Sequence, residues 1–95
     1  MIDLAAAFEK FSDTEYLKFD RVNNKRSNRP DLHAFLLLNS LCPGTSNIVS
    51  DAGIDEIFLG IDVVQLAELI SEDQVCELVR CGVRFSEYDW LCMFA

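Results

Sequence analysis

Between Arg29 and Pro43 the chain carries one stretch, Pro30 to Cys42, that limits the available folds more than any other. Pro30 suits the first turn of a helix, where its missing amide costs nothing. Asp31 sits in the same turn and complements the helix dipole. Leu32, Phe35, Leu36 and Leu38 then make the helix apolar nearly all round, and Cys42-Pro43-Gly44 ends it. A helix of that kind is expected at the centre of a domain, with other elements packed about it. The chain has 95 residues, 51% of them hydrophobic. That is enough for one core and too short for two, so residues 1–95 are read as a single domain.

The flanking segments supply the packing partners. Leu4, Ala5, Phe8 and Phe11 recur at helical spacing and predict a first helix over about Ile2–Phe11. Ser12-Asp13-Thr14-Glu15 has the form of a capping box, which predicts a second helix from near Asp13 carrying Tyr16, Phe19 and Val22 inward. The polar run Asn23–Asn28 reads as a loop. The linker Thr45–Gly53 is polar and is expected to hold no more than a short turn. Asp55–Ile61 is the best strand candidate. Val63–Ile70 fits a short helix, although Val63 and Val64 also suit an extension of the strand. Ser71-Glu72-Asp73-Gln74 is a second capping box, opening a helix with Val75, Leu78 and Val79 inward and Gly82 as its left-handed cap. Val83–Phe85, a turn at Ser86–Asp89 and Trp90–Phe94 predict a C-terminal hairpin. The fold class is α+β: N-terminal helices followed by a small antiparallel sheet.

Charge is divided along the chain. The formal net charge is −8, yet Lys18, Arg21, Lys25, Arg26 and Arg29 cluster in one segment with Asp20 as its single acid. From Asp31 onward the only bases are Arg80 and Arg84. Three partners suit the basic loop: the acidic remainder of the same domain, an acidic protein surface, or nucleic-acid phosphate. A body this acidic repels nucleic acid from most faces, so protein is favoured. Arg21, Lys25, Arg26 and Arg29 are the candidate contact residues. The acids from Asp51 to Asp89 serve solubility; the alternative is an array mimicking DNA phosphate to inhibit a DNA-binding protein.

No catalytic or cofactor constellation is legible. His33 is the one histidine and has no identifiable nucleophile to serve. Cys42, Cys76, Cys81 and Cys92 lack metal-ligand spacing and read as reduced, buried small apolar residues. The four glycines are isolated, so no phosphate-cradling loop is expected. The longest apolar run, Ala34–Leu38, falls far short of the ~20 residues that span a bilayer. The N-terminus does not read as a secretory signal. The expectation is a cytoplasmic, cofactor-free protein without enzymatic activity.

The C-terminal strand is apolar on both sides: Trp90, Cys92 and Phe94 point one way, Leu91 and Met93 the other. Such a strand is either central and covered on both faces or covered by a partner. Tyr88, Trp90, Met93 and Phe94 are therefore the second set of candidate contact residues, and a homodimer or a protein partner is expected. The block Phe19–Leu38, with Leu78–Phe85 and Leu91–Phe94, resembles recurring stretches in small proteins of phages and prophages. That resemblance implies an origin in mobile elements and carries over no activity. Together these features predict a small acidic protein-interaction accessory protein. The rival is a nucleic-acid-associated regulator using residues 18–29.

Overall fold

Asp3 opens the first helix by accepting the Ala6 amide at its carboxylate (3.2 Å), and α1 runs Leu4–Ser12. The computed structural model describes residues 1–44, 47–86 and 90–94. Among these, α1 is followed by a 3-10 turn at Phe19–Arg21, α2 at Pro30–Leu41, β1 at Val49–Ala52 and β2 at Glu56–Leu59. Then come α3 at Val63–Leu69, α4 at Glu72–Arg80, β3 at Val83–Phe85 and β4 at Leu91–Phe94. The strands form one antiparallel sheet in the order β1-β2-β4-β3. The α+β fold and the C-terminal hairpin are as the sequence predicts.

Local chemistry explains the elements that were legible. At the start of α4, Ser71 Oγ accepts the Gln74 amide (3.2 Å) and Gln74 Oε1 accepts the Ser71 amide (3.0 Å). The helix ends where Gly82 takes φ +96° and its amide donates to the Val79 carbonyl. Asp62 caps α3 through the Val64 and Gln65 amides, so Val63 and Val64 belong to the helix and not to β2.

Three expectations are corrected. The helix predicted from Asp13 does not form. Ser12 is the last residue of α1 and its hydroxyl donates to the Glu9 carbonyl. Turns follow, and Leu17 sits at φ +61°, which no helix accepts. Glu15 is turned away from Ser12 because two arginines bind it, and charge-assisted hydrogen bonds outrank a single amide. The second correction is β1, which occupies part of the linker expected to hold only a turn. It is an edge strand, exposed at all four residues, and its pairing with β2 is irregular between Val49 and Asp51. An irregularity and a charge on an edge discourage pairing with another chain.

The third concerns α2. It buries His33, Ala34, Leu37 and Leu38, but Leu32 and Leu36 face out. The helices line one side of the sheet only. Their core joins Leu4, Phe8, Leu38, Leu66, Val75 and Leu78 to Leu59, Val83, Leu91 and Met93 of the strands. Among the described residues no further layer covers the outer side of α2 or the second face of the sheet. None of the described helices is long and apolar enough to cross a membrane.

Candidate functional site

The open sheet face is built by strand alternation. Phe58 pairs with Cys92, which pairs with Arg84, and Glu56 pairs with Phe94. Paired residues point to the same side. Leu91 and Met93, on the other side, belong to the core. The open face therefore carries Glu56, Phe58, Arg84, Trp90, Cys92 and Phe94. At its centre Cys92 is buried, and its thiol donates to the Arg84 carbonyl (3.7 Å). Burial raises the Cys92 thiol pKa, against the opposing effect of Arg84.

Around Cys92 the face is aromatic and only partly covered. The Phe58 and Trp90 rings meet edge to face with centroids 5.6 Å apart. The Arg84 guanidinium lies 4.0 Å from the Phe94 ring centroid and forms an ion pair with Glu56. Trp90 remains 43% exposed and Phe94 59% exposed. A shallow cavity of about 420 Å³ opens here, lined by Glu56, Phe58, Arg84 and Trp90 among others.

Of the C-terminal candidates, Trp90 and Phe94 are thus brought together on one open face. Met93 is corrected: it is 5% exposed and packs in the core, because β4 alternates and its odd positions meet the helices. Tyr88 lies outside the described residues. The expected dilemma over a two-sided apolar strand has a mixed resolution. β4 is central, its inner side is covered by helices, and its outer side is covered only over Cys92. The sequence reading missed Phe58, Glu56 and Arg84. Phe58 carried a usable signal, since it alternates with Ile57 and Leu59 inside the predicted strand.

The basic loop is divided by its partners. Arg21 is neutralised within the domain: its Nη1 donates to Glu15 Oε2 at 2.8 Å. Glu15 is buried and also accepts Arg80 Nη2 (2.7 Å) and Nε (3.2 Å), while Arg80 Nη1 donates to the Arg21 carbonyl. The Arg80 hydrogen bonds foremost, then those of Arg21, hold the Glu15 carboxyl below the usual carboxylate range against the cost of burial. Arg80 is correspondingly raised, chiefly by Glu15. Internal compensation therefore holds for Arg21.

The other cations differ. Among the described residues no carboxylate forms an ion pair with Lys18, Lys25, Arg26 or Arg29. Lys25 rests its ammonium 5.1 Å from the Phe19 ring centroid. Arg29 caps α2 with its backbone and donates its amide to Ser27 Oγ (3.1 Å). Arg26 donates its amide to His33 Nδ1 at 3.0 Å. His33 is buried, and the hydrogen bond to its ring comes from a backbone amide and not from a nucleophile. Among the described residues no three His, Cys, Asp or Glu side chains converge as a metal site.

No protein-family model, curated protein or solved structure matches the chain.

Proposed function

We propose that this chain is a non-catalytic protein-binding protein whose open sheet face docks a second copy of itself, with the basic loop as a further polar contact. The observation that carries the reading is the partly exposed pair Trp90 and Phe94 beside Phe58, on a face that none of the described helices covers. Trp and Arg at the centre of a patch are the residue types that dominate interface energetics. A second copy fits this face by charge. Glu56 and Arg84 neutralise each other, so two such faces meet without burying an unmatched ion. Each copy also carries both signs, with cations on the loop that no described carboxylate pairs and an acidic remainder. The resemblance of residues 19–38, 78–85 and 91–94 to phage and prophage proteins supports an accessory role in that setting.

The test is sedimentation or light scattering across a concentration series, read beside the fluorescence of Trp90, the single tryptophan. A dimer whose Trp90 emission shifts to the blue on association is expected. Trp90→Ala should weaken association about 30-fold, the scale of a 2 kcal/mol hot spot. A strict monomer at the highest concentrations, or a dimer indifferent to Trp90→Ala and Phe94→Ala, refutes the reading.

Lys18, Lys25, Arg26 and Arg29, with which no described carboxylate forms an ion pair, favour one second reading, a polyanion contact through the loop. It requires binding to DNA or RNA that falls steeply with salt and is lost in Arg26→Glu. No binding at low salt removes it.

A further inference from the structure

His33 makes a hydrogen bond that is incompatible with protonation of the accepting ring nitrogen. The imidazole is 1% exposed. Its Nδ1 accepts the Arg26 amide at 3.0 Å, so in this arrangement Nδ1 carries the lone pair and the ring proton resides on Nε2. Nε2 is buried without a hydrogen-bond partner, and Glu77 Oε2 on α4 stands 3.8 Å from it, beyond bonding distance. A proton taken up from solvent binds at Nδ1, the only lone pair on the ring. That places two donors, Nδ1–H and the Arg26 N–H, face to face at 3.0 Å.

We propose that His33 is a proton-operated latch: neutral, it pins the basic loop at Arg26; protonated, it releases the loop and turns its charge toward Glu77. The surroundings give it two distinct states. From α4 the facing group is Glu77, which gains an ion pair when the ring is charged. From the 3-10 turn it is the edge of Phe19, with centroids 5.8 Å apart, and the Lys25 ammonium sits against that same ring. On α2 itself, Asp31 is engaged with the Leu32 amide (2.8 Å). From the loop it is Arg26, held by its backbone alone. Residues 23–29 place no buried apolar side chain in the core, so the His33 bond is a principal tie of that segment. Releasing it frees Arg26 and the segment from residue 23 to residue 28, while Arg29 stays fixed as the cap of α2 and Arg21 stays clamped by Glu15. The inference rests on His33 and its neighbours, independently of what the loop binds.

The test is heteronuclear NMR on the full chain from about pH 8 to about pH 5, following the His33 ring nitrogens and amide exchange. The expected result is the Nε2–H tautomer at the alkaline end. Protection of the Arg26 amide should fall roughly tenfold, the scale of one lost hydrogen bond with added repulsion, at the midpoint of ring protonation. Val79 and Leu78 amides should not change there. His33→Asn, which offers an oxygen near the Nδ1 position and does not titrate, should keep Arg26 protected throughout. The proposal is overturned by an Nδ1–H tautomer, by a ring that stays neutral to about pH 5, by protonation without loss of Arg26 protection, or by the same pH-dependent loss of Arg26 protection in the non-titrating His33→Asn protein.

Discussion

Gly82→Ala separates two sources of strain that meet at one point of the fold. Gly82 ends α4 at φ +96°, and a Cβ placed there lies 2.8 Å from Leu17 Cδ2. Forcing an L-residue into left-handed backbone costs about 1–2 kcal/mol. The smaller conformational freedom of alanine in the unfolded chain returns roughly 0.4–1 kcal/mol. The contact adds little, because Leu17 is 63% exposed and its side-chain end swings into solvent. Pushing it off its rotamer costs about 0.5 kcal/mol, the low end for such a shift, because only the end of a flexible side chain is met. The backbone effects net to roughly 0–1.6 kcal/mol, so the expectation is a loss of about 1–2 kcal/mol with the contact as the smaller share. For a domain of this size that lowers the melting temperature by roughly 5–15 °C. Urea unfolding by circular dichroism measures it, with Leu17→Ala and the double variant completing a cycle. The backbone origin predicts that Leu17→Ala recovers less than about 0.5 kcal/mol of the loss. A Gly82→Ala protein as stable as the parent, or one fully restored by Leu17→Ala, refutes the reasoning.

Three further predictions follow from the polar contacts and the thiols. Glu15→Gln destabilises the fold at neutral pH. The folded-state pKa of Glu15 is lowered, so its contribution is complete above the usual carboxylate range and vanishes as pH falls through the folded value; urea midpoints of parent and variant should converge in acid, and a constant gap contradicts the pairing with Arg80 and Arg21. Ser71→Ala removes one half of the α4 capping box and costs about 1 kcal/mol, read as a lower melting temperature. Burial pushes the Cys81 thiol up to about 12 and raises Cys42, Cys76 and Cys92 as well, so thiol reagents should modify the protein at the rate of unfolding, and fast labelling of Cys81 in the native state would disprove its burial.

Elements governed by near neighbours in the chain were the ones legible before the structure. The Ser71 and Gln74 exchange of hydrogen bonds spans one turn, and Gly82 is a single-residue signal. Ser12 and Glu15 have the same pattern and fold otherwise, because the groups that claim Glu15 include Arg80, 65 positions away. No local rule sees that competitor. β1 was missed for a different reason: an edge strand exposed on both sides has no hydrophobic alternation to read. For the candidate site, alternation correctly divided Trp90 and Phe94 from Met93. Which set faced the helices was not decided by the strand itself, since both sets are apolar. It was decided by Leu59, Val83 and the helices against which Leu91 and Met93 pack.

The position of β4 in the sheet also has a consequence for how the protein comes into being. β4 lies between β2 and β3, yet it follows both in the chain. During synthesis the β1–β2 hairpin and the α4–β3 unit emerge with nothing to join them. Leu59 and Val83 wait beside an absent neighbour until residues 91–94 leave the ribosome. The closing step pairs residues 56–59 with residues 91–94, a long loop to shut, and such contacts form slowly. The sheet therefore stays in two parts until residues 91–94 pair with both.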